Sequence, residues 1–98
     1  MSTMKRNYQP FLIFPNGDTK NVNPKNGTDF SLEELQGFVG GHIEIVRVGR
    51  GEIMVVNEEG KLQNLPCNDL ATTFFRFKVG SDDYLVGNVL VCHTSMVK

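Results

Sequence analysis

Apolar positions recur with two periods along the chain, and the switches between them mark its elements. Gln9 to Pro15 holds the compact run Phe11-Leu12-Ile13-Phe14, which predicts a strand. Asn16-Gly17 follows, the dipeptide preferred in a two-residue type I′ turn, so a hairpin is expected, with the polar return strand Asp18 to Val22 at a sheet edge. Asn23 to Gly27 reads as loop. Ser31 and Glu34 then stand as a capping box, Phe30 and Leu35 have the spacing of a hydrophobic staple, and Leu32, Leu35, Phe38 and Val39 fall on one helical face. Glu33 and Glu34 suit the positive end of the dipole and Gly40-Gly41 supplies a stop, so a helix is predicted from about Leu32 to Val39.

From His42 to Val48 the alternation Ile43/Ile45 gives way to Val46/Val48, which predicts a strand with a bulge or one covered on both faces. Gly49-Arg50-Gly51 reads as a turn. Glu52 to Asn57 reads as the next strand, its run Ile53-Met54-Val55-Val56 marking the centre of the sheet. Asn57-Glu58-Glu59-Gly60 suits a type I turn with a glycine bulge, returning through a short strand from Lys61 to Leu65. Leu70, Ala71, Phe74 and Phe75 form a helical face that Asn68 or Asp69 can cap. Phe75, Phe77 and Val79 alternate with Arg76 and Lys78, so the helix is expected to yield to extended chain near Arg76. Tyr84 to Cys92 reads as the last strand, Gly87 marking a bulge or a close backbone approach. The expected fold is one α+β domain over residues 1–98: an antiparallel or mixed sheet of about five or six strands, two short helices on one sheet face, order β-β-α-β-β-(β)-α-β, and frayed tails at 1–7 and 94–98.

Length and charge narrow the function classes. A chain of 98 residues suits one core. With 10 Lys+Arg against 11 Asp+Glu it has no strong field to draw in nucleic acid or anionic membrane. A nucleic-acid role would need Lys5, Arg6, Lys20, Lys25, Arg76 and Lys78 on one face. No apolar stretch is long enough for a signal h-region or a membrane span, which points to the cytoplasm. Cys67 and Cys92 form no C-x-x-C pair and read as reduced thiols, a Cys67–Cys92 bridge being the lesser alternative.

The densest polar cluster is Asn57-Glu58-Glu59-Gly60-Lys61, where two carboxylates and an ammonium could grip a cationic or hydroxyl-rich ligand; plain turn chemistry competes with that reading and is favoured. Arg47 and Arg50 could clamp a phosphate near a hairpin tip, against the simpler view of a solvated turn. The ligand-binding candidates are therefore Arg47, Arg50, Asn57, Glu58, Glu59, Lys61 and Asn68. His42 and His93 lack the spacing of a metal set, Cys67 has no evident base, and neither a triad nor a phosphate loop occurs, so no catalytic residue, metal or cofactor is expected.

Leu35-Gln36-Gly37-Phe38-Val39-Gly40-Gly41, then Ile43-Glu44-Ile45-Val46, Asn57-Glu58-Glu59-Gly60-Lys61-Leu62, Leu65-Pro66-Cys67-Asn68 and Val86-Gly87-Asn88-Val89-Leu90-Val91 occur in an order that resembles an uncharacterised small-domain family of phages, plasmids and bacterial mobile elements (domain of unknown function, number 3846). The chain departs from that pattern at Cys67, where Pro is common, and over Thr72–Phe77. The resemblance implies a mobile-element setting and an accessory binding module, sequestering a small ligand, a nucleotide immune signal among the candidate cargoes, or a host protein. A nucleic-acid-associated regulator and a small enzyme of unknown reaction are the alternatives. A homo-oligomer is plausible, because the apolar last strand could pair across a two-fold axis.

Overall fold

Pro15 decides the first hairpin: its ring holds φ negative at the second turn position, which selects a type I turn. Gly17 donates to the Phe14 carbonyl at 2.9 Å and Phe14 to the Asp18 carbonyl at 2.8 Å, and Gly17, at φ 93°, takes the left-handed position. The predicted two-residue type I′ turn would need Asn16 at positive φ as well; instead a three-residue turn with a glycine bulge joins β1 (Phe11–Ile13) to β2 (Thr19–Asn21). The computed structural model describes residues 9–97, so the tail expected at 1–7 lies outside the described residues.

The helix α1 (Leu32–Val39) forms where its local signals place it. The Ser31 side chain accepts from the Glu34 amide, Glu34 accepts from the Ser31 amide, and Gly40 closes the helix in the left-handed region. Leu35 and Val39 are buried, but Leu32, assigned to the same face, is 59% exposed because it lies at the first position, beyond the sheet's cover.

The strands β3 (Ile43–Gly49) and β4 (Glu52–Asn57) make an antiparallel hairpin with a register shift between Arg47 and Gly49, and β5 (Val89–His93) completes an antiparallel sheet of order β2-β1-β5-β4-β3. β5, not β4, is therefore central. That placement explains two further departures. The second edge of β4 is filled by β5, so no return strand forms at 61–65. Residues 58–64 instead coil into a helical turn: Leu65 donates to the Gly60 carbonyl and Asn64 to the Lys61 carbonyl, around Asn64 at φ 57°, which is a Schellman closure. And β5, hydrogen-bonded on both sides, has no edge left for a second copy, so the expected pairing across the last strand is unavailable. It is also shorter than expected, Val86 making only an isolated bridge to Cys67.

The helix α2 (Asp69–Val79) starts at the predicted cap, Asn68, and runs through Arg76 to Gly80, so the alternation at 75–79 does not make a strand. The two helices cover opposite faces of the sheet rather than one. Leu12, Ile53, Val55, Leu90 and Cys92 pack with Phe30, Leu35 and Val39 on the α1 side, while Ile13, Met54, Val56, Val89 and Val91 pack with Ala71 and Phe75 on the α2 side. This is why β4 is a continuous apolar run: both of its faces are buried, each side chain contributing roughly 1.5–3 kcal/mol by leaving water. The chain after β5, expected as a tail, makes a 3-10 turn over Thr94–Met96 and is held to α1's approach by the Phe30 amide, 2.8 Å from the Met96 carbonyl, and by a Phe30–Val97 bridge.

Candidate functional site

On the α2 face, β3 alternation points Glu44 and Val46 the same way as Val56 of β4, and the 58–64 turn folds back beside them. Opposite, the segment after α2 is tied down by Arg76, whose Nε and Nη2 donate to the Asp83 and Asp82 carbonyls at 3.0 and 2.9 Å, and by the Leu85 amide, which donates to Thr72 Oγ1 at 2.9 Å. Between these walls lies a cleft of about 270 Å³. Its floor is apolar, made by Val46, Val56, Phe75, Leu85 and Val86; its rim carries Glu44, Glu58, Lys61, Asp83 and Tyr84.

Lys61 holds the rim together. Its Nζ lies 2.6 Å from Asp83 Oδ1 and 4.1 Å from the centroid of the Tyr84 ring, so one ammonium is seated between a carboxylate and an aromatic face. The hydrogen bond from Lys61, joined by one from the Tyr84 amide, holds the Asp83 carboxyl below the usual range. Both charged side chains are about half exposed, at 45% and 56%, so the pair contributes less than about 1 kcal/mol to stability. Glu44 and Glu58 make no ion pair among the described residues, which leaves the rim net acidic.

The residues singled out from the sequence separate into three groups. Asn57, Glu58 and Lys61 line the cleft, and Glu59 is exposed beside it without lining it. Asn57 and Asn68 are buried and satisfied. The Asn57 amide group donates to the Val39 carbonyl at 3.2 Å while its oxygen accepts from the Glu59 amide at 2.8 Å, which pins the turn to α1. Asn68, 0% exposed, donates to the carbonyls of Ile13 and Gly87 at 2.9 and 2.8 Å and accepts from the Ala71 amide at 3.1 Å. Arg47 points to the α1 side of β3 and Arg50 sits at the hairpin tip, at the end of β4 away from Glu58, so neither reaches the cleft. The residues the sequence reading missed are Glu44, Asp83 and Tyr84. Asp83 and Tyr84 lie 22 and 23 positions after Lys61, a distance across which no local pattern reports contact.

Elsewhere the surface is less suggestive. A groove of about 520 Å³ beside α1 is lined by Lys20, Lys25, Glu33 and Glu34 with Val22 and Phe38, but its charges balance and Glu34 is committed to the helix cap and the Lys25 amide. Of the cations a nucleic-acid surface would need, Lys20 and Lys25 lie on the α1 side and Arg76 and Lys78 on α2, with Lys5 and Arg6 outside the described residues. Cys67 and Cys92 are not bridged; Cys67 is exposed, and burial pushes the Cys92 thiol up to about 11. Ser95 Oγ lies 2.8 Å from His93 Nδ1, but the Ser95 amide donates to the same nitrogen, so the ring caps the 3-10 turn. Among the described residues no cluster of three His, Cys, Asp or Glu could hold a metal, and no helix is long and apolar enough to cross a membrane.

No curated protein and no solved structure shows significant similarity to the chain. A family model does match, over residues 11–96, which takes in both helices, all five strands and every rim residue of the cleft. The chain belongs to the domain of unknown function DUF3846.

Proposed function

We propose that the protein is a non-enzymatic binding module whose α2-face cleft takes up a small ligand or the end of a peptide, apolar at one end and cationic at the other. The observation that carries this reading is the seat of Lys61: the rim already holds an ammonium between the Asp83 carboxylate and the Tyr84 ring. Glu44 and Glu58 add two more carboxylates over an apolar floor. A ligand amine or guanidinium would displace the Lys61 ammonium or share its surroundings, while an aryl or alkyl body would rest on Val46, Val56 and Phe75. Phosphate-bearing cargo, a nucleotide immune signal included, suits this rim poorly, because one already paired ammonium faces three carboxylates. Sequestration in the cytoplasm for a phage or other mobile element is the setting we infer for such a module, and a host protein with a basic, apolar terminus is the macromolecular form of the same ligand.

A thermal-shift comparison tests the reading. Phenethylamine and an arginine-ended dipeptide amide are expected to raise the unfolding midpoint in a saturable way, while ATP and a cyclic dinucleotide leave it unmoved. A midpoint raised by the nucleotides alone would overturn the proposal.

A further inference from the structure

The outer face of α2 carries apolar side chains that the core leaves in water. Leu70 and Phe77 stand at i and i+7 with Thr73 between them at i+3, the spacing of a helix–helix seam, while Phe74 at i+4 packs partly against the core. Leu70 is 45% exposed and Phe77 86%, whereas Ala71 and Phe75 turn into the core from the opposite side of the helix. Exposed apolar residues scattered singly need no explanation; a stripe aligned along two turns of one helix does.

The charges beside the stripe choose its occupant. Asp69 and Arg76 are seven residues apart, so they lie on the same flank of the stripe, about 20° from one another around the axis. In an antiparallel pair of identical helices related by a two-fold axis, like flanks meet. A dyad between Thr73 and Phe74 sets Leu70 against Phe77 of the second copy and brings Asp69 beside Arg76 of the second copy, twice over. Asp69 has no cation paired with it among the described residues, and Arg76 bonds two carbonyls rather than a carboxylate. Lys78, on the other flank, is held by Glu52 at 3.3 Å and lies over the Phe74 ring, so it places no like charge against its own symmetry mate's position.

We propose that α2 is a self-association surface on which a second copy of this chain packs antiparallel, with Leu70 and Phe77 as the seam and reciprocal Asp69–Arg76 pairs as its register. The contact is short, burying on the order of 600–900 Å² in total, below the ~1,200 Å² of stable complexes, so the dimer is weak, with a dissociation constant of roughly 10–100 µM.

Sedimentation equilibrium on the full chain, from about 5 to 500 µM, tests this directly against that expected constant. Wild type is expected to dimerise, and Phe77→Glu to weaken the dimer more than about tenfold with an unchanged thermal midpoint, since the ring is solvent-facing. Asp69→Arg and Arg76→Asp chains should each be monomeric alone and associate when mixed, because the mixed pair restores both opposite-charge contacts. Monomeric wild type at every concentration, a dimer indifferent to Phe77→Glu, or mixed charge-swapped chains that stay apart while wild type dimerises would each overturn the proposal.

Discussion

The two faces of the sheet are built from the same five strands and finished differently. On the α1 face, Phe30 meets Phe38 edge-on at 5.5 Å, Leu35 and Val39 fill the space over Ile53, Val55 and Leu90, and the 3-10 turn after β5 straps the approach to the helix. On the α2 face, the helix covers Met54, Val89 and Val91 but leaves a cleft beside β3 and turns a stripe outward. On the first face the core is covered, the groove beside α1 is charge-balanced, and Glu34 there serves the helix cap. The second keeps Glu44 and Glu58 without ion pairs among the described residues, at the rim of a cleft with an apolar floor, an arrangement that folding alone does not call for. Under the proposed function, the α1 side serves mainly stability and the α2 side also serves recognition.

The joint between the faces gives the largest expected effect. Asn68→Ala removes the α2 cap and strands two buried carbonyls, at Ile13 and Gly87, and should cost about 3–4 kcal/mol in urea unfolding. A cost below about 1 kcal/mol would mean that the bonds to these carbonyls add little beyond an ordinary cap. Next comes Cys92, in the α1-face core. Its thiol value rises from 9.0 unfolded to about 11 folded through burial, so its contribution is complete below pH 9 and is lost as pH rises through about 11. The loss should reach about 2–3 kcal/mol, visible as a steeper fall in stability above pH 9 for wild type than for Cys92→Ala. Parallel pH profiles would show that the α1 face is not closed to water.

Smaller effects sharpen the contrast. Ser31→Ala breaks the α1 capping box and should cost about 1 kcal/mol, read from the denaturation midpoint. Lys61→Met should change stability by less than about 0.5 kcal/mol, since its ion pair is half exposed. In the same variant, affinity for an aryl amine should rise several-fold, because the internal ammonium no longer competes for the Asp83–Tyr84 seat. Isothermal titration of wild type and variant checks this, and weaker binding by the variant would argue that Lys61 is a contact rather than an occupant.

What could be read from the chain depended on how far each signal reaches. The whole of α1 was legible because its determinants lie within ten residues: Phe30, Ser31, Glu34, Leu35 and Gly40. The β3–β4 hairpin was legible for the same reason. The 61–65 segment was misread because its fate depends on which strand fills the second edge of β4, and that strand begins at Val89. The same limit hid the centre of the sheet and the second covered face. At 75–79 the alternation was misleading, since Phe77 sits on the solvent side of a continuing helix rather than on a strand face. The candidate site was half legible: Glu58 and Lys61 stood out as a cluster, whereas Glu44, Asp83 and Tyr84 join them only through topology. Asn68, read from the sequence both as a helix cap and as a ligand contact, is a buried cap satisfied in three directions.

A backbone NMR titration with phenethylamine reads both faces of the sheet at once. Saturable shifts are expected at Glu44, Glu58, Asp83, Tyr84 and their neighbours, with the α1 groove around Lys25 and Phe38 silent. Shifts confined to the α1 side, or none that saturate, would contradict binding in the cleft.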